Sequence, residues 1–141
     1  MVSTSGWAMS FLDDYGKLVL RVMLGALLLF HGLHKVLDGI EPIKAMLVSH
    51  GIPDALAYGV YLGEIVGPVL ILLGMFSRVG AALIAVNMIV AIALTKLGSI
   101  FTLAPTGGYA LELEMLYLLA AVAVALLGAG RFSLSHSEYL N

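Results

Sequence analysis

Apolar residues form four long stretches along the chain, and most polar residues collect between them. The stretches cover approximately residues 17–37, 55–76, 78–98 and 109–130. Each holds about 20 residues, the length that a helix rising 1.5 Å per residue needs to cross roughly 30 Å of hydrocarbon. The pattern therefore predicts an all-α membrane protein with a bundle of four transmembrane helices, built as a single integral membrane domain over residues 1–141.

The connections between the stretches differ in length. A turn around Ser77 alone separates the second stretch from the third, which predicts a tight antiparallel hairpin. Gly and Pro in residues 99–108 indicate a loop. In the longest connection, residues 38–54, Glu41 and Pro42 precede apolar residues at helical spacing. This pattern predicts a short interfacial helix between helices 1 and 2, and a plain loop is the alternative.

Small residues recur in the second stretch. Gly59, Gly63 and Gly67 stand four residues apart, which predicts a seam where another helix approaches closely. Pro68 follows and removes a backbone donor near the middle of the membrane, so a kink is expected there.

Composition supports a membrane environment. The chain is 61% hydrophobic and 11% charged, whereas an ordinary soluble domain is about 25% charged, so the lipid bilayer is the main expected partner. A net charge of -2 without a basic block gives no electrostatic footprint for nucleic acid. With no Cys, the chain has no thiol chemistry of its own, and electron transfer would need a cofactor, a quinone or a partner.

Positive residues near the ends of the stretches bear on orientation. Those expected on one side are Lys17, Arg21, Arg78 and Arg131, and those expected on the other are Lys35, Lys44 and Lys96. This small excess predicts that both termini are cytoplasmic. Asp13 and Asp14, with no basic region before the first stretch, argue against a cleavable signal. Arg21 is expected to snorkel toward lipid headgroups, within reach of those aspartates.

Ionisable residues inside the stretches are the main functional signal, because a charge near the bilayer centre costs at least about 2.5 to 3.5 kcal/mol. His31, His34 and Lys35 share one face of the first helix, and Glu64 stands alone among apolar neighbours. Counting along the helices puts all of these in the half of the membrane next to residues 38–54. The predicted pocket consists of His31, His34, Lys35, Glu64, Asn87, Lys96 and Glu112.

The pairing expected in this pocket follows from helix geometry. Glu64 would pair with His31 or Lys35, and Glu112 with Lys96 or Lys35. Glu112 and Glu114 stand about 200° apart around the helix, so Glu112 is predicted to point inward and Glu114 to lie at the rim. His31 and Glu64 are the candidate catalytic residues. The alternative is that the buried pairs fix helix register, and that Lys35, Lys96 and Glu114 snorkel.

Metal and haem are disfavoured as cofactors, although His ligates both. His31 and His34 come from one helix at a spacing of three, which cannot place two axial ligands across a haem, and no HExxH pattern is present. His50 and His136 belong to a loop and a terminus.

The sequence resembles the DoxX family of small bacterial membrane proteins. Four segments carry the resemblance: LRVMLGALLLFHGLHK at 20–35, GEIVGPVLILLGMFSR at 63–78, GGYALELEMLYLL at 107–119 and LLGAGRFSL at 126–134. The resemblance implies a bacterial inner-membrane bundle of four helices with an extra short helix after the first. Carried over by position, the recurring polar and glycine features are Arg21, His31, Gly32, Lys35, Glu64, Gly67, Arg78, Gly108 and Glu112.

The family's labels point to quinol oxidase and thiosulfate:quinone oxidoreductase subunits and to oxidative-stress complexes. The first hypothesis is therefore a redox-associated subunit that binds a quinone or similar apolar ring, with His31 and Glu64 as polar contacts or proton relay. A membrane or soluble oxidoreductase would be its partner, and a homo-oligomer is also open. The alternative is a non-enzymatic scaffold or a small transporter whose buried charge pairs are structural.

Overall fold

The computed structural model describes residues 4–135, 137 and 139–141. His136, predicted to lie in a terminal segment, falls outside these residues. The described chain is helical, and its five α-helices are α1 (Thr4–Asp38), α2 (Glu41–Ser49), α3 (Gly67–Leu73), α4 (Ser77–Thr95) and α5 (Glu112–Leu127). Three further segments are helical but not α: two 3-10 helices at Asp54–Gly59 and Leu97–Ser99, and a π-helix at Leu62–Val66.

Three helical segments within the described residues are long and apolar enough to cross a membrane. They are Gly6–Asp38, Asp54–Leu73 and Ser77–Thr95. The predicted fourth stretch, 109–130, is α-helical only over the 16 residues of α5, or roughly 24 Å. The all-α membrane class is therefore confirmed, and the count of four spans stays a prediction.

Helix α1 extends well beyond the predicted first stretch. It begins at Thr4 rather than near residue 17, because residues 4–16 contain no Pro and nothing in them stops a helix. Asp14 also connects this extension to the segment after α5, since its carboxylate accepts a 3.1 Å hydrogen bond from the backbone amide of Arg131.

The second predicted stretch is an irregular helix. The Gly67 amide donates to the Leu62 carbonyl, five residues earlier, as in a π-turn. Pro68 follows at once and has no amide to bond the Glu64 carbonyl, so the departure from α geometry falls beside Pro68, where a kink was predicted. The glycine seam is confirmed for Gly63 and Gly67, which pack against α4, but not for Gly59, which has open space around it.

The core joins α1, α3, α4 and α5. Its fully buried side chains include Leu24, Leu28, Ile71, Ile84 and Val124. Only residues 74–76 separate α3 from α4, as predicted for a tight turn.

Residues 128–135, the C-terminal segment after α5, cross this turn. They explain why the prediction for Arg21 was wrong. Arg21 is 1% exposed rather than snorkelling, and its guanidinium donates to the carbonyls of Ile71, at 3.1 Å, and Phe132. The amide of Leu134 also donates to Leu73, at the end of α3. The segment thus supplies one of the two carbonyl acceptors that hold Arg21 inside the protein, and α3 supplies the other.

Candidate functional site

Glu64 is the centre of a small buried polar cluster. It is 6% exposed, and the Lys35 ammonium group donates to its Oε2 atom. The Asn87 amide nitrogen donates to the other carboxylate oxygen, Oε1, at 3.3 Å. Of the two partners predicted for Glu64, His31 and Lys35, the structure pairs it with Lys35, and Asn87 belongs to the same cluster.

Two glycines let the three helical elements meet at Glu64. A Cβ atom on Gly32 of α1 would lie 2.2 Å from the Glu64 carbonyl oxygen, and one on Gly63 would lie 2.2 Å from the Asn87 Cβ. These contacts are far closer than packed side chains allow, so both positions need a residue without a side chain. The π-turn that carries Glu64 adds a local irregularity of a kind that often occurs at functional sites.

Lys35 is held in place from two directions. Its backbone carbonyl accepts a 3.1 Å hydrogen bond from the Tyr61 hydroxyl, while its side chain, 24% exposed, reaches Glu64. A buried ion pair of this kind adds little net stability. Removing one partner alone leaves an uncompensated charge and costs about 3 to 5 kcal/mol.

The two histidines predicted for the pocket lie elsewhere. His31 is exposed and faces Tyr117 of α5, with 3.4 Å between its Nε2 and the Tyr117 hydroxyl. His34 is exposed and pairs with Asp38 at 2.9 Å. Their spacing in α1 spreads His31, His34 and Lys35 over an arc of about 100°, and of the three only Lys35 reaches Glu64. Sequence reasoning missed Tyr117, which no spacing rule linked to His31.

The prediction for the two glutamates of α5 was wrong. Glu114, not Glu112, pairs with Lys96, at 2.6 Å, while Glu112 is exposed. Helix α5 begins at Glu112 without a side-chain cap, so nothing in the local sequence indicated which glutamate would face α4. Lys96 and Glu114 therefore form a second ion pair, separate from the pair at Glu64.

A long apolar groove lies on the other side of Asn87. Its volume is about 640 Å³, and it runs between α4, the π-turn, the Asp54–Gly59 helix and α2. On α4 its lining extends from Val79 to Leu94, roughly 22 Å of helix. Among the described residues that line the groove, Asn87 carries the only polar side chain.

Asn87 thus connects the groove to the buried ion pair. Its amide has two N–H donors and one carbonyl acceptor, and Glu64 accepts from that nitrogen. Neither Glu64 nor Lys35 lines the groove. A molecule in the groove would therefore meet Asn87, and Glu64 would act on it only through the orientation of that amide.

The described residues offer no cluster of three or more His, Asp or Glu side chains suited to a metal ion. The chemistry available at the site is hydrogen bonding by an amide in an apolar channel, with an ion pair behind it. This arrangement suits a molecule that is mostly apolar and carries a carbonyl or hydroxyl group.

Comparisons with known proteins bear on the site. The sequence model of the DoxX family matches residues 16–97, which include Lys35, Glu64 and Asn87. A protein of Bacillus subtilis (strain 168) named "Putative oxidoreductase CatD" is 35% identical over 116 residues, covering 82% of this chain and 81% of that protein. No solved structure matches the chain.

Proposed function

Because the chain belongs to the DoxX family, we propose that it is a redox-associated membrane subunit that binds a quinone, or a similar apolar ring with carbonyl groups. The name of the Bacillus subtilis relative, a putative oxidoreductase, suggests the same class of chemistry. The electrons would be exchanged with a membrane or soluble oxidoreductase partner, since the chain has no thiol.

The observation that carries the proposal is the groove with one amide in its wall. The walls are apolar over roughly 22 Å of α4, which suits a ring and a hydrocarbon tail. The Asn87 amide can donate to a carbonyl oxygen and accept from a hydroxyl. One side chain can therefore hold both the oxidised and the reduced form of a quinone.

Glu64 and Lys35 have a supporting role in this proposal. The Glu64 carboxylate accepts from the Asn87 amide nitrogen, which fixes that nitrogen toward Glu64 and the amide oxygen away from it. The Lys35 ammonium group pairs with this carboxylate and holds it in place. A catalytic part for His31 stays a prediction, and its position beside Tyr117 rather than among the residues lining the groove argues against direct contact.

We also propose how the helices are placed in the bacterial inner membrane. We propose that α5 is a fourth span in a single membrane domain, that α2 lies at the interface and that both termini are cytoplasmic. Large apolar side chains such as Leu116, Leu119 and Leu126 are exposed along α5, as expected for a lipid-facing helix.

Binding of decylubiquinone to the purified protein in lipid nanodiscs tests the proposal. Asn87→Leu removes the amide and keeps a side chain of similar size. Loss of the hydrogen bond between Asn87 and the quinone should weaken binding about tenfold. Tyr117→Phe is the matched control, because it removes a hydroxyl outside the groove and should leave affinity unchanged. Equal affinity of Asn87→Leu and the unchanged protein would contradict the proposal.

The second candidate is a non-enzymatic scaffold. The observation that favours it is that the Lys35–Glu64 pair joins two helical elements without lining the groove. Native purification discriminates the two: bound quinone or a stable oxidoreductase partner supports the first, and an empty oligomer without a partner supports the scaffold.

A further inference from the structure

Helix α2 closes one end of the apolar groove. Ile43 and Leu47, on its inner face, line the groove together with Leu94 of α4. Leu47 is 5% exposed and belongs to a small buried cluster with Ile40 and Ala57. A molecule occupying this end of the groove would therefore touch the underside of α2.

Both ends of α2 are bounded by glycines in the left-handed region. Gly39 has φ 87° and Gly51 has φ 73°. A Cβ atom at either position would meet nothing within 4 Å, so these glycines are needed for backbone conformation and not for space. Positions that absorb large changes of φ and ψ are what a hinged element requires.

Lys44 ties α2 to the segment that follows it. The Lys44 ammonium group bonds Glu41 at 2.8 Å and lies 5.1 Å from the centre of the Tyr58 ring. Its interaction with Glu41, and then that with Tyr58, raise the pKa of Lys44 above its usual value. A lysine with a raised pKa loses its charge only when pH rises above the ordinary lysine range, so this tie persists through neutral pH.

We propose that residues 41–49 form a hinged flap, which swings about Gly39 and Gly51 to admit an amphiphile from the membrane into the groove and is latched by Lys44 on Tyr58. The proposal rests on the proposed function for the identity of the occupant, but the movement of the flap does not. An occupant against Ile43 and Leu47 would hold the flap shut by burying apolar surface on both sides.

The absence of cysteine makes the flap directly measurable. Leu47→Cys places one thiol on the buried underside of the flap, and Ile43→Cys is a second reporter in case the first fails to fold. Alkylation by N-ethylmaleimide is then followed in nanodiscs with and without decylubiquinone. Leu24→Cys, in the bundle core away from the groove, is the control for global opening.

Lys44→Ala should raise the alkylation rate of the flap reporter about fivefold, because it removes an exposed ion pair and a cation–π contact. The Leu24→Cys control should not change, and neither should the flap reporter in a Lys17→Ala background. Decylubiquinone should slow alkylation of the flap reporter both in the protein that keeps Lys44 and in Lys44→Ala.

The outcomes separate the flap from the proposed function. Equal alkylation with and without Lys44 would overturn the flap, even if decylubiquinone still protects the reporter. A clear Lys44 effect without protection supports the flap and counts against quinone as the occupant. An equal rise at Leu24→Cys would also overturn the flap, because the change would then be general unfolding.

Discussion

Breaking the Lys35–Glu64 pair from its two sides should have unequal consequences. Lys35→Met leaves the Glu64 carboxylate, 8% exposed at its side chain, with Asn87 as its one described hydrogen-bond donor. A buried ion pair that loses one partner typically costs about 3 to 5 kcal/mol.

Glu64→Gln should cost less, about 1 to 2 kcal/mol. A glutamine keeps an acceptor for Asn87, and the Lys35 ammonium group, one turn from the end of α1 and 24% exposed, can turn toward the headgroups. The double variant Lys35→Met, Glu64→Gln removes both charges and should be more stable than Lys35→Met alone. The unchanged protein, the two single variants and the double variant form a double-mutant cycle. We expect it to give a favourable coupling energy between Lys35 and Glu64 of at least about 1 kcal/mol.

Equilibrium unfolding by SDS in mixed micelles, followed by circular dichroism, measures these differences. Lys17→Met is the matched control, since it removes a lysine from the same helix outside the cluster. If Lys35→Met and Glu64→Gln cost the same and their effects add, the pair is not a coupled buried unit and the reasoning fails.

Two further substitutions test the packing of α1 by the same unfolding assay. Arg21→Met should cost about 2 to 4 kcal/mol because it leaves the Ile71 and Phe132 carbonyls without their guanidinium donor. Arg131→Met, at a side chain 52% exposed, should cost under about 1 kcal/mol, and equal costs would favour the snorkelling position for Arg21. Gly32→Ala should destabilise by about 1 to 3 kcal/mol because its Cβ would meet the Glu64 carbonyl. Gly16→Ala, with open space around it, should be neutral or stabilising, and similar behaviour of the two would contradict the close approach at Gly32.

The parts of the fold that follow from local pattern were predictable. Long apolar stretches indicated the membrane class and a tight turn beside Ser77, which the structure has at residues 74–76. Pro42 marked the start of a helix between residues 38 and 54. The need of a buried charge for a partner singled out Glu64, and of the two candidates in the same half of the membrane, His31 and Lys35, it is Lys35 that pairs with it.

The parts that depend on distant residues or on rotation about a helix axis were not predictable. The buried state of Arg21 depends on a carbonyl 111 positions away. Glu114 faces Lys96 because of how α5 is rotated about its axis. Successive residues of a helix point about 100° apart, so the sequence did not show which residue of α5 would face Lys96. The groove was missed because an apolar stripe on α4 that lines a cavity has the same composition as one that faces lipid.

The central claim is that an apolar ring occupies the groove beside Asn87. Photo-crosslinking with an azido-quinone in native membranes, followed by mass spectrometry of the labelled peptides, tests it most directly. We expect label on α4 around Asn87 and on the underside of α2, and loss of that label in Asn87→Leu. Label concentrated near His31 and Tyr117, or unchanged in Asn87→Leu, would contradict it.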